Sequence, residues 1–166
     1  LQAYVEKIGK MRGNKMMDFL RPLLKSLDEI HKTGLLHRDI NPSNLICEKG
    51  KRLVLIDFGS MQMRRTTQKK TIQFSKGYSP PEQYAADDSE GSWTDVYAVC
   101  AVIYFMLTGQ PPEDAVLRKA KENFENDRMS GILGKYKKVI EKGLAVNPRD
   151  RYANIPQLEA ALDRRK

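Results

Sequence analysis

Apolar residues recur at three- and four-residue steps through Met16, Leu20, Leu23, Leu27 and Ile30, the spacing of one helical face. Asn14 is placed to cap the start of this helix, and Gly34 to stop it just past Thr33. Pro22 falls inside the pattern and predicts a kink or a late start to its regular part. Leu35 to Ile40 then reads as a short, partly apolar connector into the polar loop Asn41-Pro42-Ser43-Asn44. Two β-prone runs follow, Leu45-Ile46-Cys47 and Leu53-Val54-Leu55-Ile56, with Glu48 to Arg52 joining them as a hairpin around Gly50. Ser60 to Ser79 shows no apolar period and is rich in Thr, Lys, Arg and Gln; loops of this length inside a domain are usually functional. Thr94 to Thr108 is apolar nearly all round, which predicts a helix at the centre of the core, stopped by Gly109 and Pro111-Pro112. Ile132 to Leu144 and Ile155 to Leu162 read as two further amphipathic helices. The pattern as a whole is mainly α with one small β-hairpin.

Composition narrows the class. With 166 residues, 40% hydrophobic and 30% charged, the chain has enough apolar surface for one sizeable core and is not of disordered type. Two cysteines, Cys47 and Cys100, exclude a disulfide framework and suit a reducing, cytoplasmic setting. The longest apolar run, Val96 to Leu107, is too short to span a bilayer, so no membrane segment is expected. No signal peptide is visible, and a chain that opens on Leu1 within an amphipathic pattern reads as a fragment. The net charge of +8 is uneven, with Arg64, Arg65, Lys69 and Lys70 in one polar stretch and Arg164 to Lys166 at the end. Neither cluster is interleaved with aromatic side chains, so solvated surface is the reading and no nucleic-acid partner is expected.

Chemistry is concentrated in His37-Arg38-Asp39 with Asn44, then Asp57-Phe58-Gly59, then Pro80-Pro81-Glu82. Each is weak alone: an isolated His37 is more often a packed core histidine, and an Asp before Phe-Gly is usually a turn residue. In order and spacing, however, they resemble the catalytic loop, the metal-binding turn and the segment-closing motif of protein kinases. The wording of 37–44, of Pro80 to Tyr84 and of Trp93-Thr94-Asp95-Val96-Tyr97 resembles the bacterial branch of eukaryotic-type Ser/Thr kinases. The resemblance covers the whole chain and only the C-terminal lobe of such a kinase. Residues 37–44 would be its catalytic loop and 57–82 its activation segment.

The resemblance implies ATP and Mg²⁺ (or Mn²⁺) as cofactors and a protein Ser/Thr hydroxyl as acceptor. Asp39 would orient the hydroxyl, and Asn44 and Asp57 would supply hard oxygen ligands to the metal. Asn44 starts one strand of the hairpin and Asp57 follows the other, so antiparallel pairing brings them together. His37 would pack under Phe58. Asp95 would accept hydrogen bonds from the loop backbone around His37 and Arg38, although a first-turn acid explains it equally well. Glu82 would pair with Arg151, and Leu45 and Ile46 would lie under the adenine ring, unless they simply pack the strand. Arg38 would receive a phosphate carried by Thr66, Thr67 or Thr71.

Two departures stand out. The Lys that usually follows the catalytic Asp by two positions is Asn41 here, removing a charge from the transferring phosphoryl unless Lys76 or a loop Arg replaces it. Ser75 aligns with the Thr that helps to position that Lys and Asp39, favouring Ser/Thr over Tyr acceptors. The Gly-rich phosphate loop, its partner Lys and the associated Glu belong to an N-terminal lobe that this chain does not contain, so the isolated chain is expected to transfer phosphate negligibly. Two rival readings stay open: a non-catalytic docking or pseudokinase-like module, and a small-molecule phosphotransferase of the same fold.

Overall fold

Helix α4, Ser92–Thr108, is the axis of the fold: every residue in it except Trp93 is buried. This computed structural model describes residues 1–63, 74–85, 89–121 and 129–164. The all-round burial follows from a sequence without a polar face, as expected from the pattern. The helix ends at Gly109, whose φ of 76° lets its N–H turn back to the Phe105 carbonyl at 2.8 Å.

Around this axis pack α2 (Gly13–Lys32), α6 (Gly134–Gly143) and α7 (Ile155–Asp163), and α1 (Gln2–Ile8) adds Val5 to the same core. The α2 stripe faces inward as predicted, with Met16, Leu20, Leu23 and Leu27 buried and Ile30 partly so. Its start differs from the expectation. Arg12 occupies the capping position without a side-chain bond, and Asn14 lies inside the first turn, accepting only from the Lys15 N–H. The helix also continues through Pro22. Gly143 is where α6 crosses α4; a methyl group there would lie 2.1 Å from the Cys100 sulfur, so only glycine permits this approach.

The predicted hairpin forms as β2 (Leu45–Glu48) against β3 (Arg52–Leu55), antiparallel, with Leu45 opposite Leu55 and Glu48 opposite Arg52. A second pair is not legible in the pattern. Leu35–Leu36, part of the expected connector, is β1, and it pairs antiparallel with β4, Gln62–Met63, inside the aperiodic stretch. Two-residue strands are too short to show a period. Two short helices, α3 (Pro81–Tyr84) and α5 (Ala115–Lys121), also escape the pattern for want of length. The result is a mainly helical fold with small antiparallel sheets, and the loop 37–44 lies between the strand pairs and the start of α4. Among the described residues no helix is long and apolar enough to cross a membrane.

Candidate active site

The loop is built on Asp95, in the first turn of α4 and fully buried. One carboxylate oxygen accepts from the His37 backbone N–H at 2.9 Å and from His31 Nε2 at 2.7 Å; the other accepts from the Arg38 N–H at 2.9 Å. Burial by itself would push this carboxyl up. The His31 contact and the two backbone donors outweigh burial and hold it below the ordinary aspartate value. The bonds also stabilise an unusual backbone, since Arg38 has φ 72°. His31 is not among the residues that the motifs single out. Its signal is present all the same, because it stands four residues beyond Leu27 on the buried stripe of α2.

The Arg38 side chain forks onto Glu90, with Nε and Nη2 donating at 2.5 and 2.6 Å. Arg38, expected to receive a loop phosphate, thus pairs with a carboxylate of the same chain, and Thr66, Thr67 and Thr71 lie outside the described residues. Glu90 escapes a reading of the sequence because nothing local marks a pairing across 52 residues. The Arg38 carbonyl accepts from Gln83 Nε2 at 2.7 Å, tying the loop to α3.

Asp39 points into a ring of neutral donors. Its Oδ1 accepts from Asn41 Nδ2 at 2.7 Å and from the Ser75 hydroxyl at 2.8 Å, and its Oδ2 accepts from Asn44 Nδ2 at 2.7 Å. Lys76, the suggested substitute cation, is exposed next to Ser75. The hairpin brings the next residues alongside: the Ile56 N–H donates to the Asn44 carbonyl at 2.9 Å, placing Asp57 one residue beyond that bond. Asp57 is exposed, has φ 62°, and accepts from the Gly59 N–H at 3.0 Å. The rings of His37 and Phe58 meet edge to face with centroids 5.8 Å apart. Ile46, Ile56 and Phe58 are large apolar side chains left exposed. Leu45 is buried in the core, so of the two residues considered for the adenine floor only Ile46 is accessible.

The donor set fits magnesium. Asn44 commits its amide nitrogen to Asp39 and keeps its amide oxygen for another partner, and Asp57 offers a carboxylate. No group of three His, Cys, Asp or Glu side chains able to hold a metal occurs among the described residues. A two-ligand protein set is what Mg²⁺ uses when phosphates and water complete its shell.

His37 is buried, and burial lowers its pKa from the usual 6.5 against the opposing pull of the nearby aspartates 95, 39 and 57. The unfolded chain therefore binds a proton at higher pH than the folded one. Stability is expected to decline as pH falls below about 6.5, with a limiting slope of about 1.4 kcal/mol per pH unit. Asp95, depressed in the folded state, adds a second loss only below its unfolded value near 3.8. Thermal melts between pH 7.5 and 4.5 check this: His37→Gln should flatten the decline in the upper half of that window, and an unchanged slope would refute it.

Beneath the loop lies a buried ion pair. Arg151 Nη1 and Nη2 donate to the Glu82 oxygens at 2.6 and 3.0 Å, and both residues are about 95% buried. Thr94 donates to the same carboxylate, and the remaining Arg151 donors reach the Trp93, Ala145 and Val146 carbonyls. Arg118, also buried and not anticipated, donates to the Leu144 carbonyl and the Tyr97 hydroxyl. Both guanidinium groups lie over the Tyr97 ring, at 4.9 and 5.5 Å. Toward solvent, Phe74 stacks on Tyr84 at 4.2 Å.

Comparison with known proteins agrees with this arrangement. The sequence profile described as "Protein kinase domain" matches residues 1–161. The chain belongs to the protein kinase family. Among curated relatives, this kinase segment is 34% identical over 170 residues to serine/threonine-protein kinase F of Synechocystis sp., covering 98% of the chain and 34% of that protein. It is 28% identical over 177 residues to serine/threonine-protein kinase PknB of Mycobacterium tuberculosis, covering 99% and 28% respectively. The chain thus spans about a third of the length of these bacterial kinases. A solved structure titled "PpkA-294 apo form" superposes with a TM-score of 0.80 at 27% identity, covering 98% of this chain and 59% of that one. The mainly helical kinase C-terminal lobe expected from the sequence is the fold observed.

Proposed function

We propose that this kinase segment carries the acceptor-orienting and metal-binding half of an ATP-dependent transfer of phosphate to protein Ser or Thr hydroxyls. The observation that supports it most is the convergence of Asp39, Asn44 and Ser75 in one hydrogen-bonded cluster, with Asp57 held next to Asn44 by the hairpin. Residues 37–44 act as catalytic loop, and 57–82 as the segment that binds the acceptor. Asp39 accepts a hydrogen bond from the attacking hydroxyl and aims its oxygen at the phosphorus. Asn44 and Asp57 hold the metal, which when bound neutralises charge on the phosphates. Ile46 offers an apolar surface to the base. Glu82 and Arg151 fix the floor under the acceptor site. The partners are ATP, a protein substrate and an N-terminal lobe.

Full-length protein incubated with labelled ATP, Mg²⁺ and peptides carrying Ser, Thr or Tyr as the sole hydroxyl should label the Ser and Thr peptides. The Asn44→Ala and Asp57→Ala variants should each lose at least about 100-fold in kcat/KM, a large loss of transition-state stabilisation. Labelling of a small-molecule alcohol instead would support the phosphotransferase alternative. Binding of partners with no Mg-dependent nucleotide binding would support a docking module.

A further inference from the structure

We infer that Asn41 is a positioning residue that sets Asp39, Ser75 and Asn44 relative to one another; this rests on the phosphotransfer reading above. A carboxamide has two N–H donors and one acceptor oxygen, and Asn41 uses both ends inside the cluster. Its Nδ2 donates to Asp39 Oδ1 at 2.7 Å and to Ser75 Oγ at 3.0 Å. Its Oδ1 accepts from the N–H groups of Ser43 at 2.9 Å and Asn44 at 3.2 Å, capping the short 3₁₀ turn Pro42–Asn44. The side chain is buried by these neighbours, with 7% relative exposure for the residue.

The orientation of the amide is fixed by its surroundings. Turning it over would face its oxygen to the Asp39 carboxylate and its hydrogens to two backbone N–H groups, which is unfavourable at both ends. The Ser75 hydroxyl has one hydrogen, and it goes to Asp39, so Ser75 can accept from Asn41 at the same time. Asp39, Asn41 and Ser75 therefore close a triangle across 34 to 36 residues of sequence. Through the cap, the same amide places Asn44, whose own Nδ2 returns to the other Asp39 oxygen. One neutral side chain thus sets the spacing between the acceptor-orienting carboxylate and the metal-binding amide. A Lys here has three donors and no acceptor, so it cannot make this cap. Asn41 is a different solution to the same position and not simply a lost charge.

The test separates the cap from the bridge in full-length protein. Asn41→Ser keeps an oxygen that caps the turn but is too short to span Asp39 and Ser75. Its kcat should fall about 100-fold, the cost of a misplacement of about 1 Å, with KM for ATP within about threefold of the parent. Ser75→Ala should lower kcat as well, and the double variant should lose no more than the worse single variant, because both break one bridge. A kcat for Asn41→Ser within about threefold of the parent, or additive losses, overturns the positioning role. If Asn41→Ser fails to fold, Asn41→Asp takes its place. It retains the cap and turns attraction toward Asp39 into repulsion, so a normal kcat there overturns the role too. A parent protein that transfers no phosphate overturns the functional reading and this inference together. An active parent with an unimpaired variant overturns only the inference.

Discussion

Asp39→Asn in the full-length protein is expected to lower kcat for peptide phosphorylation by about 10²–10⁴-fold, the usual contribution of a positioned general base. The change is nearly isosteric. It removes the charge and turns one acceptor oxygen into a donor, which then confronts the N–H of Asn41 or Asn44. Because the side chain is only half-buried and its neighbours keep their backbone bonds, the fold should hold and KM for ATP should shift little. Steady-state kinetics at saturating Mg-ATP with a parallel thermal melt give both numbers. Retention of more than about a tenth of the parent kcat would remove Asp39 from the acceptor-orienting role.

The second large effect is on stability. Arg151→Met leaves the Glu82 carboxylate buried with only the Thr94 hydroxyl facing it. Breaking one side of a buried pair typically costs about 3–5 kcal/mol, because the remaining charge has lost both its partner and its water. For a chain of this size that corresponds to a fall in melting temperature of about 10 °C. The double change Glu82→Gln with Arg151→Met should recover most of the loss, since it removes the stranded charge. A single variant melting within about 3 °C of the parent would show that the pair contributes only shape. Arg118 does not take over, because its donors are already engaged by Leu144 and Tyr97.

These two sites differ in how much of them can be read from the order of residues alone. The helical stripes of α2, α6 and α7, and the unbroken hydrophobicity of α4, are readable because burial imposes a period or erases it. The hairpin is readable from β-prone runs flanking Gly50. The β1–β4 pair, α3 and α5 are not, because elements this short carry no repeat. Asp39, Asn44, Asp57, Glu82, Asp95 and Arg151 stand out from motif order, and the structure places Asp39 with Asn44, Asp57 beside Asn44, and Glu82 against Arg151. What escapes is the partnering of distant polar groups that no motif marks. Glu90 on Arg38 and Arg118 on Tyr97 are decided by tertiary proximity, and no local spacing encodes them; the approach of Ser75 to position 41 is legible only through the family resemblance. Asn41 in particular looks like a deficit when judged only by the charge it lacks.

The attachment of residues 37 and 38 to Asp95 has a mechanical consequence. The loop is moored to the buried central helix of the fold, not to its neighbours along the chain. Lifting either amide would cost a fully buried carboxylate one of its three donors at the foot of a close-packed helix, which holds this backbone in place. Any rearrangement of the surrounding segments would leave these two backbone positions where they are.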